Sequence, residues 1–358
     1  YDNAIEYFKE SLVIATRYFG EDHPDIAGLY NNFGNAYYLK RDYDKAIEYY
    51  KKALVISWRY YGEDHPHMVT RYNNLGKVYE SKGEHNKAIE YYKKALEINR
   101  KFYGEDHPSV TILYNNLGGA YDRKSHHRKA IQYFYKALIV GRKFYGEDHP
   151  DIATTYNNLG LAYKSLGEYG KAIEYHEKSI AIGGKFYGEH HPNIATQCGN
   201  LGIAYNRNGE YDKAIEYFDR AVAIGKIIYG EYHPDMATCY NNLGNSYAYK
   251  GNIGKAIEYY EKAIAISREF YGGDHPDMTT KYSNLGMAYN SNGEPEKANE
   301  CFEKSLAIGR KFYGEDHPDI AICCNNLGVY YEGKGDHNAA ILYFEKALSI
   351  GRKFYDED

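Results

Sequence analysis

The 358-residue sequence lacks long hydrophobic runs and any concentration of positive charge. No stretch of about 18 apolar residues occurs, so a membrane-spanning helix is not expected. The 44 basic and 49 acidic residues are interleaved along the chain, which leaves no basic stripe to neutralise nucleic-acid phosphates. Residues 1–9 form an acidic and aromatic pattern rather than a basic leader before an apolar core. We therefore expect neither a nucleic acid nor a membrane as a partner.

Cysteine is scarce and shows no ligand-like spacing. The chain has five cysteines, an odd number without any C-x-x-C motif, which argues against a disulfide framework and against zinc knuckles. This usage favours a reducing compartment, and we predict the cytoplasm. Cys198 and Cys324 occupy repeat positions that carry Tyr156 and Tyr240 elsewhere. We interpret them as small packing residues without a chemical role.

Proline is also scarce, and its placement reveals an internal repeat. Eight of the nine prolines follow a histidine, and these His-Pro pairs recur every 42 residues without insertion or deletion. A fixed period of this length is typical of repeat proteins, in which each unit is one supersecondary motif. The histidines are His23, His65, His107, His149, His191, His233, His275 and His317.

Residues 144–187 show the content of one repeat most clearly. Pro150 is expected at the first position of a helix, named helix A, with Asp148 or His149 as its cap. Apolar and aromatic residues then recur at spacings of three and four until Gly167 ends the helix. A second helix, named helix B, follows and runs until Gly188 provides a left-handed stop.

Each of these helices carries one apolar stripe that it cannot bury alone. Helix A is therefore expected to pack on its own helix B, and both on the next helix A, with contacts between nearest neighbours only. We predict one all-α domain over residues 1–358. It begins with a lone helix B at residues 1–19, and eight A–B units follow, each starting near a His-Pro, the last helix B ending near Tyr355.

The repeat resembles the tetratricopeptide repeat. That family's signature of a large residue, Leu-Gly, Tyr, Ala and Ala appears at Tyr72, Leu75, Gly76, Tyr79, Ala88 and Ala95. The usual repeat of about 34 residues is extended here at the end of helix B. The extension Y-G-E-D-H-P, followed by a Y-N-N-L-G helix, is similar to the kinesin light chain type.

The resemblance implies a right-handed superhelical solenoid of antiparallel helix pairs with 42-residue repeats. It also implies a concave groove, formed mainly by the A helices, that receives extended peptides. In kinesin light chains these peptides are cargo or adaptor segments, often with a Trp among acidic residues.

Each helix A carries two adjacent positions rich in asparagine. The second is Asn in every unit, and we interpret this inner row as structural, because an amide at a helix contact satisfies a neighbouring backbone polar group. The first faces the groove in the family geometry, and this groove row could donate to and accept from an extended peptide backbone. A solvated polar face is the alternative interpretation of the groove row. The inner row comprises Asn32, Asn74, Asn116, Asn158, Asn200, Asn242, Asn284 and Asn326. The groove row comprises Asn31, Asn73, Asn115, Asn157, Gly199, Asn241, Ser283 and Asn325.

The same helical face varies between units at four and seven residues after the groove row. Leu161, Ile203, Met287 and Val329 form an apolar strip there, and an exposed apolar strip with a polar rim is typical of an interaction site. Nearby basic residues predict a ligand with an apolar anchor and acidic flanks, docked around the third to fifth units. The predicted peptide-binding residues are Asn73, Lys77, Asn115, Arg123, Asn157, Leu161, Lys164, Ile203, Arg207, Asn241 and Asn245.

Catalytic, metal and cofactor sites are not expected. The loop histidines recur once per unit, about 10 Å apart in stacked helices, which is too far to share an ion with ligands about 2 Å away. Their recurrence beside proline predicts loop and cap residues. His126 with His127, and His190 with His191, lack further ligands at a useful spacing. No Ser or Cys stands beside a base in a way that the repeat does not explain, so we predict a protein that is not an enzyme.

These observations predict a protein–protein interaction scaffold that binds extended peptide segments. One alternative is a structural array that assembles head to tail, because the first and last helices B keep the interior pattern instead of a polar cap. Another alternative is the sensor or interaction region of a larger signalling protein. The residues that keep the interior pattern are Ile5, Phe8, Leu12, Ile341, Phe344 and Leu348.

Six glycines fall in the late part of helix B. Each costs about 1 kcal/mol relative to alanine if it only spans helix, so Gly225→Ala is expected to stabilise the fold. The six are Gly141, Gly183, Gly184, Gly225, Gly309 and Gly351.

Overall fold

The computed structural model describes residues 2–355, in which seventeen α-helices and no β-strand occur. This is the all-α class expected from the repeat. Within these residues no helix combines the length and the apolar character that crossing a bilayer would require.

The helices alternate between the two predicted types. The A helices are α2 (Pro24–Leu39), α4 (His67–Ser81), α6 (Ser109–Arg123), α8 (Pro150–Ser165), α10 (Pro192–Arg207), α12 (Pro234–Tyr249), α14 (Met278–Ser291) and α16 (Pro318–Gly333). The B helices are α1 (Asp2–Phe19), α3 (Tyr43–Tyr61), α5 (His85–Tyr103), α7 (His127–Tyr145), α9 (Tyr169–Tyr187), α11 (Tyr211–Tyr229), α13 (Ile253–Tyr271), α15 (Pro295–Tyr313) and α17 (His337–Tyr355). The first described helix ends at Phe19 and the last at Tyr355, and Tyr1 lies outside the described residues.

The histidine of each His-Pro pair hydrogen-bonds to the start of the following helix A, and it is the N-cap residue of α2, α8, α10, α12 and α16. Its Nδ1 accepts a hydrogen bond from the backbone N–H two residues later, at 3.2–3.3 Å, in all eight repeats of residues 2–355. The same ring stacks on the last aromatic residue of the preceding helix B, as His149 does on Tyr145 with ring centroids 4.3 Å apart. The prediction of loop and cap residues is confirmed, and His149 rather than Asp148 is the cap.

A three-residue turn joins each helix A to its own helix B, and the middle residue of the turn has a positive φ. Glycine occupies this position in six of the eight turns in the described chain, as Gly167 does with φ 77°. Arg41 and Ser125 adopt the same left-handed conformation, each with φ 61°. The short turn brings helix A against its own helix B, as the apolar stripes require.

Two compact units divide the chain, Tyr1–Ile182 and Gly183–Asp358, and the division falls inside α9. In the first unit α1 to α8 each pack on their sequence neighbours, and α4, α6 and α8 also contact one another in succession. In the second unit α10 to α17 pack in the same way, with α10, α12, α14 and α16 in successive contact. That residues 1–358 form a single domain stays a prediction.

An aromatic ring from helix B covers the glycine that follows the recurring leucine of helix A. A β-carbon on Gly202 would lie 2.7 Å from the Phe218 ring, closer than packed carbon atoms approach. In the fourth repeat the ring is that of His176, and a β-carbon on Gly160 would lie 2.6 Å from it. Glycine therefore creates the space that the ring fills.

The late glycines of helix B lie in two different environments. A β-carbon on Gly225 would lie 2.6 Å from Sδ of Met236, which belongs to the next helix A. The expectation that Gly225→Ala stabilises the fold rests on helix propensity alone, and the displacement of Met236 that the added methyl group requires opposes this gain. In the described chain nothing lies within 4 Å of a β-carbon built on Gly184, so the propensity argument applies there.

Candidate functional site

The inner row of asparagines connects neighbouring repeats through side-chain hydrogen bonds. Asn116 Nδ2 donates to Oδ1 of Asn73 at 2.7 Å, and Asn74 Nδ2 donates to Oδ1 of Asn31 at 2.8 Å. The acceptor is therefore a groove-row amide of the preceding repeat and not the backbone group that we expected. These bonds support the structural interpretation of the inner row.

The groove row consequently has partners within the protein. Asn73 and Asn241 accept bonds from the inner row, the second of them at 3.0 Å from Asn284. Asn115 instead donates from Nδ2 to Oγ1 of Thr155 at 2.8 Å. Its Oδ1 is buried and has no hydrogen-bond partner among residues 2–355.

A cavity in the first unit gathers four of the predicted site residues. It has a volume of about 440 Å³ and lies on the face of α6 and α8. Asn115 and Arg123 line it from α6, and Leu161 and Lys164 line it from α8. Asn157 lies half-buried on the same helix α8, outside the residues that line the cavity.

The charges around this cavity are largely paired. Arg123 Nε lies 3.0 Å from Oε1 of Glu80, and Tyr92 donates its hydroxyl to the other oxygen of Glu80 at 2.8 Å. Asp122 Oδ1 lies 2.7 Å from His127 Nδ1. Both acidic residues that line the cavity therefore already have partners within the first unit.

Other predicted residues lie outside this cavity. Lys77 is exposed on α4, one turn beyond Asn73. In the second unit, Ile203 is half-buried on α10 and Arg207 is exposed in its last turn. Asn245 accepts hydrogen bonds through Oδ1 from the Tyr260 hydroxyl at 2.8 Å and from Asn284 Nδ2 at 3.3 Å, so its oxygen contributes to packing.

The apolar strip is only partly exposed. Met287 and Val329 are each 46% exposed, whereas Leu161 and Ile203 are half-buried. The two more buried members line cavities of the first and second unit respectively. They are therefore placed to contact an apolar group that enters from solvent.

His176 is a feature that the sequence analysis missed. It is 0% exposed, and neither ring nitrogen has a hydrogen-bond partner in the described part of the chain. Burial, with a smaller contribution from the charge of Lys164, lowers the pKa of His176 to about 3. The signal was present in the sequence, because every other repeat from Tyr50 to Phe344 has Tyr or Phe at this position.

The five cysteines all lie within the described residues and are unpaired. Burial raises the pKa of Cys198 and of Cys301 to about 11, which keeps these thiols protonated and unreactive. Over residues 2–355 no group of three or more His, Cys, Asp or Glu side chains is placed to hold a metal ion.

Comparison with protein families decides how this helical array is classified. The tetratricopeptide repeat model matches seven stretches, which are residues 1–57, 25–101, 68–138, 127–185, 192–269, 240–280 and 277–353. The chain belongs to the tetratricopeptide-repeat family. A sequence search of curated proteins finds no match to this tetratricopeptide-repeat protein.

Solved structures similar to this tetratricopeptide-repeat protein include kinesin light chain-type repeats, which confirms the resemblance found in the sequence. BtubC (BKLC) from P. vanneervenii is 25% identical with a TM-score of 0.57, over 65% of this chain and 94% of that one. A Podosopora anserina protein, described as a kinesin light chain with nearly identical TPR-like repeats, is 26% identical with a TM-score of 0.52, over 58% and 98%. The apo form of the quorum sensor NprR from B. thuringiensis shares the fold at 15% identity and a TM-score of 0.67, over 98% of each chain.

Proposed function

We propose that this tetratricopeptide-repeat protein is an interaction scaffold that binds extended peptide segments of partner proteins on the face of its A helices. The observation that carries the proposal is the cavity of about 440 Å³ in the first unit, which gathers Asn115, Leu161 and Lys164. A concave site with apolar surface and a few convergent polar groups is the usual form of a binding site.

The lining groups match the chemistry of a peptide. A backbone N–H of the ligand would donate to Oδ1 of Asn115, which has no partner in the described chain, after a rotation of the amide that turns this buried oxygen toward the cavity. Leu161 offers apolar contact to an anchor side chain. Acidic flanks would approach Lys164 and the Arg123 side chain, which stays 65% exposed although its Nε contacts Glu80. In the second unit, Ile203 and Arg207 offer an apolar and a basic group of their own on α10.

We propose binding rather than catalysis, because the cavity is lined by amides, an aliphatic residue and paired ions instead of a nucleophile beside a base. A cytoplasmic location fits the five unpaired cysteines, since free thiols persist where the environment is reducing.

Selection from a random peptide display library tests the proposal. Peptides selected on the wild-type chain should share a motif and lose affinity for Leu161→Asp, which places a charge in the cavity. The matched control is Ile139→Asp on helix B, whose side chain is 69% exposed. Arg207→Glu should weaken acidic peptides selectively. A selected motif that binds Leu161→Asp as well as wild type would show that the peptide does not use this cavity.

Self-association is a second candidate function, favoured by apolar exposure on the first and last described helices. Ile14 on α1 is 69% exposed, and Leu342 and Leu348 on α17 are 65% and 54% exposed. Ile5, predicted to be part of such a surface, is instead 5% exposed against Phe33. Sedimentation equilibrium at increasing concentration tests this candidate, and a constant monomer mass would exclude it.

A further inference from the structure

Gly199 interrupts the groove row in the second unit and leaves Asn242 without the partner that its counterparts have. Asn74, Asn116 and Asn284 each donate to the groove-row amide one repeat and one residue earlier. The residue at that offset from Asn242 is Gly199. Since glycine has no side chain, the acceptor is missing, and Asn242 lines a cavity instead.

This cavity lies between α10, α11 and α12 and has a volume of about 180 Å³. Its wall includes the apolar side chains of Ala195, Ile203 and Ala221, and Gly199 and Gly225 add no side chain to it. In the described chain nothing lies within 4 Å of a β-carbon built on Gly199. The interruption of the groove row therefore opens space on the A-helix face.

Larger side chains stand at several of the equivalent positions of other repeats, although the eighth repeat also has a cysteine, Cys323, beside Ser283. The position of Cys239, which also lines the cavity, carries Arg71 in the second repeat and Lys281 in the seventh. Lys281 is 3% exposed, so its side chain fills the interior of its own repeat. The position of Gly199 carries Asn or Ser elsewhere. The pairing of Gly199 with Cys239 therefore distinguishes the fifth and sixth repeats.

We propose that this cavity is an anchor pocket for an aliphatic side chain, of the size of leucine or methionine, in the peptide that the A-helix face binds. The proposal rests on the proposed function and names a specificity pocket for it. An apolar cavity of about 150 Å³ accommodates benzene, so the pocket of about 180 Å³ holds a leucine side chain. Asn242 donates its amide N–H to a backbone carbonyl of the same peptide, in place of the missing groove-row amide.

The charge at the pocket restricts the residues beside the anchor. Among the described residues that line it, Asp235 alone carries a charge. A carboxylate next to the anchor is repelled by Asp235, and a neutral or basic neighbour is favoured. The pocket in the second unit therefore selects differently from the first-unit cavity, where Arg123 and Lys164 favour acidic flanks.

The thiol of Cys239 reports directly on occupancy of the pocket. Four cysteines are buried and Cys239 is half-buried, so a small reagent such as methyl methanethiosulfonate reaches Cys239 first. Burial raises the pKa of the Cys239 thiol to about 12, so its labelling is slow and is followed as a time course. Peptide mapping by mass spectrometry identifies the labelled residue. The probes are N-acetyl-leucine N-methylamide and, as a control, N-acetyl-aspartate N-methylamide, each added at millimolar concentration to the full chain.

The leucine probe should slow labelling of Cys239 by about two-fold when half of the sites are filled, and the aspartate probe should not. Protection should disappear in Gly199→Asn, which restores the groove-row amide and fills the pocket with a residue that other repeats accommodate. Gly254→Asn, at an exposed helix position with open space around it, should behave as wild type. Equal labelling rates with the two probes on the wild-type chain would overturn the proposal.

Failure of the anchor-pocket proposal can be distinguished from failure of the proposed peptide-binding function. Peptides selected on the wild type that depend on Leu161 while Cys239 shows no protection would leave the scaffold function standing and remove the anchor pocket. Protection by leucine without selection of any peptide would refute the peptide-binding function, and with it the assignment of the pocket to a peptide. Selected peptides with a recurring aliphatic residue and about ten-fold weaker binding to Gly199→Asn would support both.

Discussion

The amide nitrogen of Asn116 donates a hydrogen bond to Oδ1 of Asn73, 43 residues earlier, at 2.7 Å. Through this offset of one repeat and one residue, Asn74, Asn116 and Asn284 connect successive A helices. The bond works only where the preceding repeat supplies an acceptor in the groove row. The repeat pattern therefore predicts which inner-row residues stabilise the fold and which do not.

Asn116→Ala should destabilise the protein by about 1 kcal/mol, because it removes a hydrogen bond between repeats. Asn326→Ala is the matched control. The Asn326 amide nitrogen is buried without a partner in the described residues, and the groove-row residue one repeat earlier is Ser283, whose hydroxyl bonds Ser305 at 2.9 Å. Thermal unfolding followed by circular dichroism should show a lower Tm for Asn116→Ala and almost no change for Asn326→Ala. Equal losses would mean that the connecting bonds contribute nothing specific.

His176→Phe should stabilise the protein, and the gain should grow as the pH falls. Burial lowers the pKa of His176 from 6.5 to about 3, so the unfolded chain binds a proton that the folded chain does not. Stability from neutral His176 is thus complete above about pH 6.5 and falls by about 1.4 kcal/mol per pH unit below it. The phenylalanine variant lacks this loss, and the cost of two buried, unpartnered nitrogens is also removed.

Melting temperatures of wild type and His176→Phe at pH 7.5 and pH 5 test this expectation. The difference between the two proteins should be larger at pH 5. A difference that stays constant would mean that His176 is hydrated or hydrogen-bonded in solution. Lys164 lies near enough to disfavour the charged ring further, so Lys164→Met should reduce the pH effect slightly.

The sequence predicted the helices well because each boundary has its own local signal. His149 and Pro150 define where a helix A starts, and Gly167 where it ends, and the structure agrees within one or two residues. Contacts between repeats were harder to predict. The bond from Asn116 to Asn73 joins positions 43 residues apart, and nothing local to either residue reveals it.

The candidate site was only partly predictable, because positions within a repeat follow from the sequence and contacts between helices do not. The position of Leu161 on helix A followed from the repeat, whereas the pairing of Arg123 with Glu80 depends on how α4 and α6 pack. Likewise, the pocket beside Gly199 exists because Cys239, one repeat later, is small. The sequence shows which residues each repeat contains. The space between two repeats depends on the combination of residues that both repeats contribute.

Ser125→Gly should raise stability by about 0.5–1 kcal/mol, because a residue with a β-carbon is strained in the left-handed conformation. Ser125 has φ 61°, in a turn position that Gly83 occupies with φ 83°. The control is Ser11→Gly, at an exposed position inside α1, where glycine should lower stability by about 0.5 kcal/mol. Changes of the same sign in both variants would show that the turn is not strained.

Alanine variants of Gly183 and Gly184 distinguish the effect of helix propensity from that of crowding, because the two glycines are adjacent in one helix and differ in surroundings. A β-carbon on Gly183 would lie 2.9 Å from Cδ1 of Ile194, while the described chain has nothing within 4 Å of one on Gly184. Gly184→Ala should therefore gain up to about 1 kcal/mol from helix propensity. In Gly183→Ala the added methyl group displaces Ile194, and this cost should cancel the gain in stability from helix propensity. The Tm of this variant should therefore be at or below that of wild type. If both variants melt at the same raised temperature, α10 yields freely to a methyl group, and the late glycines of helix B carry no packing constraint.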